Sequence, residues 1–201
     1  MKNILRIDSS LFLNNSVSQQ LAQELIAELT KDDNNIKTLR RNIAKEGVPH
    51  LDSEWVTALA TPAAERSPAQ QDKVSYSDQL IKDVQQANIL VIGAPMYNFN
   101  VPSTLKSWFD HIARAGVTFS YTSDGPQGLL TNKTAYIITT RGGMHKDKST
   151  DTMVPFIKNY LAFIGITDVN IIYAEGLNMG AESREAGLTT ARASISALLA
   201  A

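Results

Sequence analysis

Three short stretches hold the residue types that can do chemistry in this chain. The first is DSSLFLNNSVS, residues 8–18, with Ser9, Ser10, Ser16 and Ser18 around two amides. Hydroxyls next to the start of a helix, with its free backbone N–H groups, form a neutral cradle for a phosphate. No Lys or Arg lies in the stretch, and the GxxxxGK[ST] pattern is missing, so a nucleotide-phosphate loop built on a lysine is excluded. The same serines would also serve simply as helix caps. The second stretch is APMYNFN, residues 94–100. Met96, Tyr97 and Phe99 offer apolar and aromatic walls, and Asn98 both donates and accepts hydrogen bonds. The third is TTRGGMHKD, residues 139–147, where Gly142 and Gly143 leave a bare backbone against which a flat ligand can lie. Each stretch alone is also readable as an ordinary turn. Together they favour a ligand with one phosphate tail and one planar, polar-edged ring, which is the shape of flavin mononucleotide (FMN).

These stretches need elements to bring them together. Short apolar runs rich in Ile and Val recur at Ile4–Ile7, Ile36–Leu39, Ile89–Ala94, Ala135–Thr139 and Val169–Tyr173. They are nearly continuous, as expected of parallel strands buried on both faces. Helical spacing lies between them. Leu21, Leu25 and Leu29 share one face, with Ser16 and Gln19 spaced as a capping box. A second helix spans about residues 70–86. Leu105, Trp108, Phe109 and Ile112 mark a third, with Pro102 in its first turn. A fourth runs over about 150–163 and stops at Gly165, and the last covers about 183–199.

Strand–helix alternation implies right-handed crossovers. The predicted architecture is α/β, a flavodoxin-like doubly wound five-stranded parallel sheet with helices on both faces, in a single domain over residues 1–201. The three stretches then meet at the carboxyl edge of the sheet, where ligands of such folds sit. Two long connections interrupt the alternation, 41–69 with a short helical piece at Ser53–Ala60, and 115–131.

The chain has 201 residues, 43% apolar and 19% charged, with a formal net charge of −1. No bulk attraction to nucleic acid or anionic membrane follows from that charge. There is no cysteine, so disulfides, thiolate nucleophiles and cysteine metal sites are excluded. Arg6 and Asp8 interrupt the first apolar run, which disfavours a secretory leader, and no run is long enough to span a bilayer. A cytoplasmic protein is expected. The absent GxGxxG argues against a dinucleotide held in the Rossmann manner. His50 and His111 have no carboxylates at metal-ligand spacing, and no metal site is expected.

The segments APMYNFNVPSTLK, ARAGVTFSYT, GPQGL, RGGMHKD, FIGITDV and AEG, in that order, resemble the bacterial FMN-dependent NADH azoreductases, within the wider flavodoxin-like quinone reductases. The resemblance covers essentially the whole chain. It implies a homodimer with one FMN per subunit. It implies phosphate contacts from Ser10, Ser16, Val17 and Ser18, and ring contacts from Met96, Tyr97, Asn98 and Phe99 and from Thr140, Arg141, Gly142 and Gly143. Arg141 is expected as a neighbour more than as a direct contact. Val17 is compatible with a backbone contact only. Tyr121 and Phe163 are the candidates for aromatic walls reaching the partner's flavin.

The implied chemistry is hydride transfer from NADH or NADPH to the flavin, then reduction of a quinone or azo compound in the same slot, a ping-pong cycle. The flavin carries the hard step and the protein binds and tunes it. His145 is the one histidine on a ligand-facing loop, a candidate substrate contact or proton donor. Backbone N–H groups of Gly142 and Gly143 are candidates to stabilise negative charge on a reduced ring. Arg66, Arg114 and Lys146 are candidates to meet a 2′-phosphate. The rival readings are a flavodoxin-like single-electron carrier, disfavoured by the weak net charge, and a non-catalytic flavin-binding module on the same fold.

Overall fold

A computed structural model of the chain describes residues 2–13, 16–33 and 35–200; Asn14 and Asn15 of the serine-rich stretch lie outside them. Five parallel strands, β1 (Asn3–Asp8), β2 (Lys37–Asn42), β3 (Ile89–Pro95), β6 (Thr134–Thr140) and β7 (Asp168–Ala174), pair in the order β2-β1-β3-β6-β7. The doubly wound expectation is met. Side chains alternate across the sheet. Leu5 and Ile7 of β1 face one layer, formed by α4 (Pro68–Gln86), α5 (Ser103–Ile112) and α6 (Met153–Phe163). Ile4 faces the other, formed by α1 (Val17–Thr30) and α7 (Ala181–Ala200).

Burial on both faces holds for β1, β3 and β6 but fails for β2, whose first four residues are exposed. The reason is position. An edge strand has a neighbour on one side only, and β2 protects its free edge with Lys37, Arg40 and Arg41. Arg40 and Arg6 share the fully buried Asp8, at 2.6 and 2.8 Å.

The α5 stripe predicted from sequence is buried in full, Leu105, Trp108, Phe109 and Ile112 all facing inward. Helix α6 ends as expected. Gly165 has φ +102°, and the N–H of Ile166 returns to the carbonyl of Leu161. The capping box is elsewhere than predicted. Ser16 does accept from the amide of Gln19, but the Gln19 side-chain oxygen meets Arg40 instead of closing the box. The reciprocal pair is Ser67 and Gln70, at the start of α4.

Both long connections are structured. Residues 41–69 carry α2 (Ile43–Glu46), α3 (Ser53–Ala60, as predicted) and a short 3-10 turn at Ala63–Glu65. Trp55 of α3 packs edge-on against Tyr76 and the buried His111. Residues 115–131 form a hairpin of β4 (Phe119–Thr122) and β5 (Gly125–Gly128). Its Gly128 touches Gly165 so closely that an added Cβ would sit 2.0 Å from the Gly165 nitrogen.

Candidate active site

The three stretches meet over the carboxyl ends of β1, β3 and β6, around a cavity of about 410 Å³. Ser10, Ser16 and Val17 form one end, and Met96, Tyr97, Thr140, Arg141 and Gly142 form the wall beyond it. At the serine end, the Ser16 hydroxyl caps α1 and lies 3.0 Å from that of Ser18. Ser18 is buried behind this wall, and its side chain would stand 3.4 Å from a Cβ on Gly93, so its hydroxyl orders Ser16 and does not line the cavity. Val17 begins α1, lines the cavity and is partly buried against the core on the α1 and α7 face of the sheet. As the first residue of α1 it also brings first-turn backbone, the positive end of the helix dipole, to the cavity.

Tyr97 ties the first two stretches together. Its hydroxyl accepts from the amide of Leu11 at 3.2 Å and lies 3.4 Å from the Ser10 hydroxyl. The residues after it make a two-residue turn closed by reciprocal Tyr97–Asn100 backbone bonds of 2.9 and 3.1 Å. Asn98 and Phe99 occupy its centre with φ of +50° and +66°, the mirror-image turn that favours Asn and Gly. Asn98 therefore has a local conformational reason to be there. Phe99 has none, and a bulky residue in this region is strained. Its ring is exposed and stands edge-on to His145, with centroids 5.7 Å apart.

In the third stretch the Arg141 guanidinium is buried. It meets Asp151 at 2.9 Å, Glu175 at 3.3 Å and Thr139 at 3.1 Å. Its charge is thus spent within the protein. Glu175 is the hub. The same carboxylate oxygen accepts from the amides of His145 and Lys146, at 2.7 and 2.8 Å. Nearby, Tyr173 carries Arg141 on its ring, and burial raises its pKa. The carbonyls of Gly142 and Gly143 accept from Asn178 and Gly176. Their own amide N–H groups donate to no backbone carbonyl among the described residues.

A fourth loop, not foreseen from sequence, completes the cavity. Leu177 and Asn178 after β7, Arg184 in α7 and Phe12 also line it. A Cβ on Gly142 would fall 2.7 Å from the end of the Asn178 side chain, so a larger residue there would displace that amide. Asn98, Phe99, Gly143 and His145 stand beside the cavity without lining it, and Arg66, Arg114 and Lys146 do not line it either. Tyr121 and Phe163 lie apart from it but together, both against the Phe119 ring at 5.4 and 4.3 Å. Tyr121 is 76% exposed. Among the described residues no cluster of metal-ligating side chains forms, and no helix is long and apolar enough to cross a membrane.

A five-stranded sheet in this order, with its cleft at the strand ends where the order reverses, defines a flavodoxin-like protein. A family model described as flavodoxin-like fold matches residues 2–199. An FMN-dependent NADH:quinone oxidoreductase of Saccharophagus degradans is 48% identical over 99% of this chain and 94% of its own. One of Cellvibrio japonicus is 51% identical over 90% of each. The chain belongs to this flavodoxin-like family of oxidoreductases. Among solved structures, an azoreductase from Bacillus anthracis superposes with a TM-score of 0.88 at 22% identity, over 98% of both chains. An FMN-dependent NADH-azoreductase of the same species, in complex with FMN, does so at 0.87 and 24% over 99% of this chain and 100% of its own. At such identity these two speak for the fold alone.

Proposed function

We propose that the chain is an FMN-dependent oxidoreductase that takes hydride from NADH or NADPH and reduces quinones and azo compounds in a ping-pong cycle. The observation that carries the reading is the near-full-length similarity, at 48% and 51% identity, to enzymes named for that quinone reaction.

The cavity fits the group. Its volume lies in the range of cofactor pockets. One end offers hydroxyls and first-turn amides from a stretch that itself contains no Lys or Arg, and the other offers a Met, a Tyr and a glycine backbone. Ser10, Ser16 and the backbone of Val17 and Ser18 would hold the phosphate. Met96, Tyr97 and the Thr140–Gly143 backbone would hold the ring, with Asn98 and Phe99 at its margin. FMN, when bound, supplies a two-electron acceptor and donor. The chain's own part is to hold that ring, to aim the Gly142 and Gly143 amides at its edge, and to flank the mouth with Phe99 and His145. Preorganised backbone donors of this kind stabilise developing charge by about 3 kcal/mol each in enzymes.

In this reading the enzyme is a cytoplasmic homodimer, one FMN per subunit. The exposed Tyr121, backed by Phe119 and Phe163, reaches the partner's ring. Such an enzyme loses specific activity on dilution through its dimer dissociation constant, and full activity in a demonstrated monomer overturns that part. The central test is steady-state oxidation of NADH and NADPH, with FMN, against a quinone and an azo dye. Parallel lines in double-reciprocal plots are expected. Absence of NADH oxidation with either acceptor overturns the reading.

A further inference from the structure

We propose that Arg184 is a cofactor-binding residue that supplies the cation for the phosphate end of the cavity; the inference rests on the reading that this cavity takes FMN.

The serine-rich stretch contains no Lys or Arg, yet the tail it would hold carries nearly two negative charges at neutral pH. Two arginines line the cavity. Arg141 is fully buried and committed to two carboxylates. Arg184 is exposed. Its guanidinium makes one long contact, 3.4 Å to the Leu177 carbonyl, and no ion pair among the described residues, although Glu182 and Glu185 are near in sequence. It is the cation of this cavity with donors to spare.

Helix register places it at the correct end. Helices α1 and α7 pack side by side on one face of the sheet, each returning against a parallel strand. Arg192 and Glu24 pin them together with two contacts of 3.0 and 3.1 Å. Eight residues back from Arg192 is Arg184, and eight back from Glu24 is Ser16. Equal rise along both helices, about 12 Å, sets Arg184 level with the cap of α1. The common lining of the cavity by Ser16, Val17 and Arg184 agrees with that register. A guanidinium there can fork onto phosphate oxygens that the serines and helix amides leave uncovered.

The test is flavin-fluorescence titration of the full-length, flavin-stripped chain with FMN and with riboflavin, which lacks the phosphate. Arg184→Gln is expected to weaken FMN binding about tenfold. Riboflavin binding should be unchanged, and this also reports that the variant is folded. Arg184→Lys should recover part of the loss, and raising salt should weaken FMN binding less in Arg184→Gln than in the wild type. Unchanged FMN affinity in Arg184→Gln overturns the proposal. Equal losses for FMN and riboflavin also overturn it, because they place Arg184 on the ring. Failure of the wild type to bind either flavin overturns the functional reading itself, and the proposal with it.

Discussion

The carboxylate of Glu175 accepts the backbone amide of His145 at 2.7 Å, and through the same oxygen it holds Lys146 and Arg141. One buried side chain at the end of β7 thereby shapes the whole turn after β6. Glu175→Gln keeps the amide-accepting oxygen and removes the charge that balances Arg141. Breaking a buried pair on one side typically costs about 3 kcal/mol or more. Asp151 still faces Arg141, so urea unfolding should show a loss of about 2–3 kcal/mol. A loss under about 0.5 kcal/mol, in the range of ordinary surface substitutions, would mean the pair is not a strut.

Phe99 occupies a left-handed position that no feature of its side chain favours. Phe99→Gly places a glycine directly after Asn98, and Asn followed by Gly is the pair this turn type prefers. Relief of left-handed strain, about 1–2 kcal/mol, outweighs the entropy glycine adds to the unfolded chain. Stability should rise by about 0.5–1 kcal/mol, while KM for the nicotinamide or the acceptor rises because the Phe99–His145 flank is lost. A destabilised variant with unchanged kinetics would show that the ring serves the fold.

Most of this architecture was legible. Apolar runs gave the five strands, and 3.6-residue spacing gave the α5 stripe, because both signals are local consequences of burial. What escaped was set by tertiary neighbours. Exposure of β2 follows from its place in the sheet order, which its apolar Ile36–Leu39 run does not encode. Gln19 sits at capping-box spacing, yet Arg40 from another strand takes its oxygen. Glu175, Asn178 and Arg184 join the site only because β7 and α7 close over it, and as single polar residues they carry no pattern. Phe119 and Tyr121 alternate with Ser120 and Thr122 as residues of a strand should, but the hairpin they belong to also depends on contact with the distant Gly165.

That contact yields a third expectation. Gly128 of β5 lies so close to Gly165 that a methyl group would meet backbone, which cannot rotate away. Gly128→Ala should lower stability by about 2–3 kcal/mol, the scale of an overpacked site. It should also displace the hairpin that bears Tyr121. Limited proteolysis should then cut near Ser123 and Asp124 sooner than in the wild type. Gly142→Ala is the control, since it meets only the end of the Asn178 side chain and should cost less.

His111 sets a pH limit on the fold. Its ring is fully buried, its Nε2 meets the Pro49 carbonyl at 2.9 Å, and its Nδ1 has no partner. The Nε2–H tautomer satisfies that geometry without charge. Burial lowers the pKa below 6.5, opposed in part by the Pro49 contact. The unfolded chain therefore takes up the proton first as pH falls. Between the ordinary value and the lowered one, the unfolded state binds more protons, so stability decreases with falling pH by up to about 1.4 kcal/mol per unit. Above about pH 7 this contribution is flat. Urea midpoints measured from about pH 7.5 to 5 should decline in the wild type. In His111→Gln, which keeps a donor for Pro49 and cannot titrate, the decline should be shallower by that amount. Equal slopes in the two proteins would assign the acid sensitivity to other groups.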